Sequence, residues 1–203
     1  MPIGYGLVNP PSNNSLVDGG NAPILQGKAG EQVVTELHGK WYTSAYRGRV
    51  FQTGVLIAGV TIPVNTTTSP TFTLFNPPGS GVNLELITLD VGWPAAAASV
   101  VGTLLGTTGV QTPTAVTAGN IYATAIGAGG APLAKFYTAA TIAAITQHMP
   151  LITISTVVDT MNPGHVDFDG RIILTQGALF TLTSTPVQTA VALPCLSWAE
   201  YPA

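Results

Sequence analysis

The chain has 203 residues, a net charge of −3 and only 7% charged side chains, against roughly 25% in an average soluble protein. Lys28, Lys40, Arg47, Arg49, Lys135 and Arg171 are scattered rather than gathered into a basic stripe, so direct nucleic-acid binding is not expected. The single cysteine, Cys195, excludes an intrachain disulfide. Gly, Pro and Thr break every apolar run before the ~20 residues a membrane helix needs.

Neutral polar residues must therefore cover the surface. The chain contains 28 Thr, 23 Gly and 16 Pro; Thr favours strands, and Gly and Pro punctuate turns. A weakly charged surface favours association, so an assembly subunit is expected. Met1-Pro2-Ile3-Gly4 lacks the basic and apolar regions of a signal peptide. Cys195 reads as a small buried residue rather than a nucleophile.

Residues 1–30 read as an extended N-terminal arm, because Asn9-Pro10-Pro11-Ser12-Asn13-Asn14 and Asp18-Gly19-Gly20-Asn21 are coil formers. Such a segment is either a disordered tail or an arm that orders on a neighbouring subunit. Residues 31–203 read as one β-sandwich domain. Its first paired strands are expected over residues 31–58, where Val33, Val34 and Leu37 are followed by Trp41, Tyr42 and Tyr46, then by Val50, Phe51, Val55, Leu56 and Ile57. Gly48 and Gly54 argue against a long helix there.

Thr71 to Phe75 alternates as a half-buried strand does, and Asn76-Pro77-Pro78-Gly79-Ser80-Gly81 is a turn. Val82, Leu84 and Leu86 then alternate with Asn83 and Glu85, after which Ile87, Leu89 and Val91 become the apolar set. This one-residue slip predicts a β-bulge, or a strand buried on both faces near its middle. Trp93-Pro94 ends it. Residues 95–130 are Ala-, Gly- and Thr-rich and read as short strand and loop, with a helical turn at Ala95 to Ala98 as one start. Over residues 131–149, Leu133, Phe136, Tyr137, Ala140 and Ala144 fit a helical face, whereas Thr138, Thr141 and Ile142 favour strand; the β context favours strand.

Leu151 to Val158 is a strand and Asn162-Pro163-Gly164 a turn. Arg171 to Thr175 and Ala178 to Thr183 flank Gln176-Gly177 as a hairpin would. Val191 to Leu193 and Leu196 to Trp198 make the last strand. About eight strands between Gly/Pro turns, with no βαβ alternation, predict an all-β antiparallel β-sandwich of jelly-roll type.

Few residues suggest chemistry. In His165-Val166-Asp167-Phe168-Asp169, a strand would place His165, Asp167 and Asp169 on one face. That face is either a divalent-metal site or the wet side of a half-buried strand whose Val166 and Phe168 point inward. His38 and His148 show no metal spacing. No G-x-S-x-G elbow occurs, and Gly127-Ala128-Gly129-Gly130 lacks the Lys-Ser/Thr of a phosphate loop. Glu36, Glu85, Asp90, Asp159 and Glu200 have no spacing that marks paired glycosidase carboxylates. Asn13-x-Ser15 and Asn65-x-Thr67 match glycosylation sequons. No catalytic residue, cofactor or enzymatic activity is expected.

Three segments carry a resemblance. They are Glu36-Leu37-His38-Gly39-Lys40-Trp41-Tyr42 with Arg47-Gly48 and Phe51; Phe75-Asn76-Pro77 with Gly79-Ser80-Gly81-Val82-Asn83-Leu84; and Gly177 before an alternating strand, with Trp198-Ala199-Glu200-Tyr201-Pro202 at the end. Their ordering resembles small structural proteins of tailed bacteriophages, over roughly residues 35–90 and 165–203. The resemblance implies a virion protein made in the host cytoplasm and placed on the capsid surface. Its implied task is decoration (cement) of the head, as a homotrimer bound to the major capsid protein, and no defined site carries over. Trp41, Tyr42, Tyr46 and Trp93 are large aromatics of the kind that anchor interfaces, or that fill a core. Rival readings are a tail fibre or receptor-binding tip that holds a host glycan, a polysaccharide hydrolase, and a small single-jelly-roll coat protein.

Overall fold

A computed structural model of the chain describes residues 40–55, 58–93, 99–127, 129–145, 148–157, 164–185 and 191–203. The expected arm at 1–30, the apolar patch of Val33, Val34 and Leu37, the helical turn at Ala95 to Ala98 and the turn at Asn162-Pro163 lie outside these residues. By its contacts the chain divides into two units, Met1–Lys40 and Trp41–Ala203; the second is the sandwich.

The elements in chain order are a short helix α1 (Tyr42–Tyr46) and thirteen strands: β1 (Val50–Gly54), β2 (Val60–Thr61), β3 (Thr73–Phe75), β4 (Val82–Gly92), β5 (Ser99–Val110), β6 (Thr114–Ala118), β7 (Asn120–Ala123), β8 (Lys135–Thr141), β9 (His148–Val157), β10 (Gly164–Asp167), β11 (Ile173–Leu174), β12 (Ala178–Ser184) and β13 (Val191–Pro202). They form two antiparallel sheets. The first runs β10-β4-β13-β1-β7, with β11 also on β4 and β2 on β13; the second runs β6-β8-β3-β12-β5-β9. The pairing is nested: β1 with β13, β3 with β12, β4 with β10 and β5 with β9.

The space between the sheets is filled by Phe51, Leu84, Leu86, Leu89, Leu196 and Trp198 from the first sheet, by Leu74, Leu104, Phe136, Phe180 and Leu182 from the second, and by Phe72 just before β3. Phe72 meets Phe136 edge-on at 4.9 Å and Phe168 meets Phe180 at 6.0 Å, the geometry that the aromatic quadrupole favours.

The slip in β4 is a bulge. Ser197 of β13 faces Thr88 while the next residue, Trp198, faces Leu86, so Ile87 is the extra residue. It leaves the core and joins Val50 and Ala199 on the outer face, where Trp41, Ala45 and Tyr201 cover it. The same bulge interrupts the other side of β4. β10 pairs down to Thr88, β11 resumes at Glu85, and the turn between them donates from the Phe168 and Gly170 amides to the carbonyls of Ile87 and Leu86.

Several expectations are corrected. The region around Tyr42 is a one-turn helix, not a strand; it ends at Gly48, whose φ of 67° supplies a left-handed C-terminal stop. β3 is buried on both faces rather than half-buried, because Leu74 enters the core and Phe75 packs outside it against Ile142 and Leu179. Residues 99–110 form one long strand, not short strand and loop.

The expected hairpin at Gln176-Gly177 is instead a corner between sheets: β11 belongs to the first sheet and β12 to the second. Gly177 turns it with φ 82°, and its amide donates to the Asn76 carbonyl. The last strand runs unbroken through Pro194. That proline sits between the stretch paired to β2 and the stretch paired to β1, where its missing N–H interrupts neither ladder.

Candidate functional site

The titratable residues concentrate on the outer face of the first sheet, at its β10 edge. The register places His165 of β10 opposite Asp90 of β4, and Asp90 opposite Cys195 of β13, so three reactive side-chain types stand in one row across three strands. His165 Nδ1 lies 2.7 Å from Asp90 Oδ1, and both side chains are more than half exposed. The hydrogen bond to Asp90 raises the imidazole's pKa above its ordinary value; slight burial opposes this, and the charges of Asp90 and Asp167 add to it.

Cys195 is half-buried and donates its thiol to the Thr53 carbonyl, 3.4 Å away. Burial first, and the Asp90 charge second, push its pKa up. A thiol held protonated is a poor nucleophile, and Asp90 stands between it and the imidazole. The row therefore does not make a Cys–His dyad.

Of the three residues expected on one strand face, the structure keeps His165 and Asp167 and removes Asp169. β10 ends at Asp167, and Asp169 sits in the following turn with φ 47°. Asp167 Oδ1 accepts the Asp169 amide at 2.9 Å, and the Arg171 guanidinium donates to the carbonyls of Asp167 and Phe168. The carboxylate of Asp167 thus shapes a turn. Among the described residues, no group of three or more His, Cys, Asp or Glu side chains is placed to hold a metal ion.

Glu85 and Asp90 lie on the outer face of β4, opposite in phase to its core residues Leu84, Leu86, Leu89 and Val91. Glu200 points the other way and is 6% exposed. Its carboxylate accepts the amides of Leu133 and Ala134 and the Trp198 indole N–H, at 3.0–3.2 Å. These three carboxylates do not converge. Glu200 instead ties the end of β13 to the chain entering β8. Trp198 and Glu200 share a strand face by their spacing of two, which is the one sequence signal for this contact.

The aromatic candidates separate. Trp41 is half-buried against the Val50, Ile87 and Ala199 cluster. Tyr42 and Tyr46 stack with ring centres 6.0 Å apart and remain exposed, Tyr46 at 74%. Trp93 packs against the main core, and its buried indole N–H has no hydrogen-bond partner among the described residues.

The opposite edge of the first sheet was not anticipated. There Ile126 is 98% exposed and Tyr122 is half exposed, beside a shallow cleft of about 560 Å³ that Gln52, Ala123 and Gly129 also line. No protein-family model matches the chain, and neither a curated protein nor a solved structure matches it.

Proposed function

We propose that the chain is a non-enzymatic structural protein of a virion, a capsid decoration (cement) protein whose jelly-roll body binds the major capsid protein as a homotrimer. The nested strand pairing carries this reading. A jelly roll is one long antiparallel hairpin of eight strands rolled into two facing sheets. Taking β1, β3, β4, β5, β9, β10, β12 and β13 as the principal strands, first pairs with last, second with seventh, third with sixth and fourth with fifth. Of the remaining five strands, β6, β7 and β8 fall between β5 and β9, at the hairpin's turn, and the two-residue β2 and β11 pair with β13 and β4.

Jelly rolls build viral shells but also lectins and cupins, so the fold alone does not select a task. Two further observations support a packing role. The interior that a cupin uses for a ligand is occupied here by Phe51, Phe72, Phe136, Phe180 and Trp198, all essentially without solvent contact. The scarcity of charge suits a surface held against protein rather than water. In this reading residues 1–30 serve as the arm that reaches a neighbouring subunit. The same nested pairing also favours a second reading, a small single-jelly-roll coat protein that forms the shell itself.

Cryo-EM of the intact particle of the encoding virus tests both. Density for the sandwich at many equivalent positions on the outside of a head built from another protein supports decoration. A shell lattice made of this chain replaces it with the coat reading. A few copies at the tail, or none in the particle, refutes both.

A further inference from the structure

Charge is distributed unevenly over the two edges of the first sheet. The β10 edge carries Asp90, His165, Asp167, Asp169 and Arg171, whereas the chain from Val91 to Ala134 contains no Asp, Glu, Lys, Arg or His. That uncharged stretch includes β5, β6 and β7. β6 ends one edge of the second sheet and β7 the matching edge of the first, joined through Gly119 alone, so the two strands form a single neutral flank. Every residue of β6 is exposed. Among the exposed large apolar side chains, Val110, Val116, Tyr122, Ile126 and Leu133 all lie in this stretch, and Ile126 is almost fully in water.

We propose that the β6–β7 flank, with Val116, Tyr122 and Ile126 on it, is the surface through which copies of this chain pack around a symmetry axis. The proposal rests on the reading of the chain as an assembly subunit and names the surface that reading requires. The occupant follows from charge. A residue that lies on the rotation axis meets its own symmetry mates, so a charged side chain there would face an identical charge, an arrangement that is strongly unfavourable in an interface. Strands that themselves carry no charged side chain avoid that conflict, whereas a surface for a different protein gains from complementary charges. Exposed branched and aromatic side chains then supply the apolar contact that an interface centre needs.

The contact is made by side chains rather than by strand addition. The ladder between β6 and β8 shifts register twice, and Ala115 adopts φ 46°. A distorted edge of this kind blocks the pairing of a further strand, while the side chains of Val116 and Ile126 stay accessible.

Analytical ultracentrifugation and native mass spectrometry of the recombinant full chain test the proposal. The wild type is expected to be a closed oligomer. Ile126→Asp and Val116→Asp, each at an exposed position, should weaken self-association by about tenfold or more with unchanged far-ultraviolet circular dichroism. Ile173→Asp, at the exposed position of β11 near the charged edge, should assemble as the wild type does. A photo-cross-linking residue at position 126 should give chain-to-chain adducts. A monomeric wild type overturns the proposal. So does an oligomer that survives both flank substitutions, or cross-links confined to residues 1–40 of the same chain, which would mean that the chain covers its own flank. An oligomer built on another surface removes this flank and leaves the virion reading to its particle test.

Discussion

Asn76 donates from Nδ2 to the Leu174 carbonyl oxygen, 2.9 Å away across 98 residues of sequence. The same amide group donates to the Val82 carbonyl at 2.8 Å, and Asn76 Oδ1 accepts from the Ser80 hydroxyl. Asn76 is wholly buried and stands where β3 leaves the second sheet and β4 enters the first. Leu174 stands where β11 leaves the first sheet for β12. One side chain therefore fastens two crossings between the sheets. Asn76→Ala strips two buried carbonyls of their donor, and is expected to cost about 2–3 kcal/mol, read as a lower denaturation midpoint in urea with an unchanged slope.

Glu200 presents a second buried polar knot. Its carboxylate is the acceptor for two backbone amides and one indole N–H. Glu200→Gln turns one acceptor oxygen into a donor that faces other donors, and about 1–3 kcal/mol of stability should be lost. Trp198 emission reports the same event, since its indole N–H loses its partner; a variant with wild-type stability and spectrum would refute this role.

The His165–Asp90 pair predicts a titration. The folded imidazole titrates above 6.5, its ordinary value, because the protonated ring donates a hydrogen bond to the Asp90 carboxylate. The raised folded pKa means that the pair's contribution to stability is complete below pH 6.5 and is lost as the pH rises through the folded pKa. Both groups are exposed, so the effect on unfolding is small, and NMR of the His165 ring is the sensitive measurement. Asp90→Asn should bring its midpoint back towards 6.5.

Cys195 should react slowly. Burial and the neighbouring Asp90 hold its thiol protonated, and the thiolate is the species that alkylates. Iodoacetamide modification at pH 8 is expected to be slower than for a free thiol, and faster in Asp90→Asn than in the wild type. Equal rates in both proteins would remove Asp90 as a cause.

The strands that carry one strong local signal were legible. The alternation from Val82 to Val91, with its slip at Ile87, marks both β4 and its bulge, because side-chain period and burial agree there. β5 was not legible. Its Gly102, Gly106 and Gly109 read as loop residues, yet Gly106 is small because the Phe180 ring lies against it, a contact between strands far apart in sequence. The corner at Gly177 reads as a hairpin because a local turn signal does not say which sheet the next strand joins. The site was half legible: His165 and Asp167 share a face as their spacing requires, but only the bulge opposite Phe168 explains why the strand stops before Asp169.

The central claim is that this chain is a structural part of a particle, and its copy number there tests the claim most directly. Quantitative mass spectrometry of purified particles of the virus proposed to encode the chain, calibrated against labelled peptides from this chain and from the shell protein, gives that number. The account predicts many copies per particle in a fixed ratio to the major capsid protein. Absence of the chain from purified particles, with abundant expression in the infected cell, would contradict it.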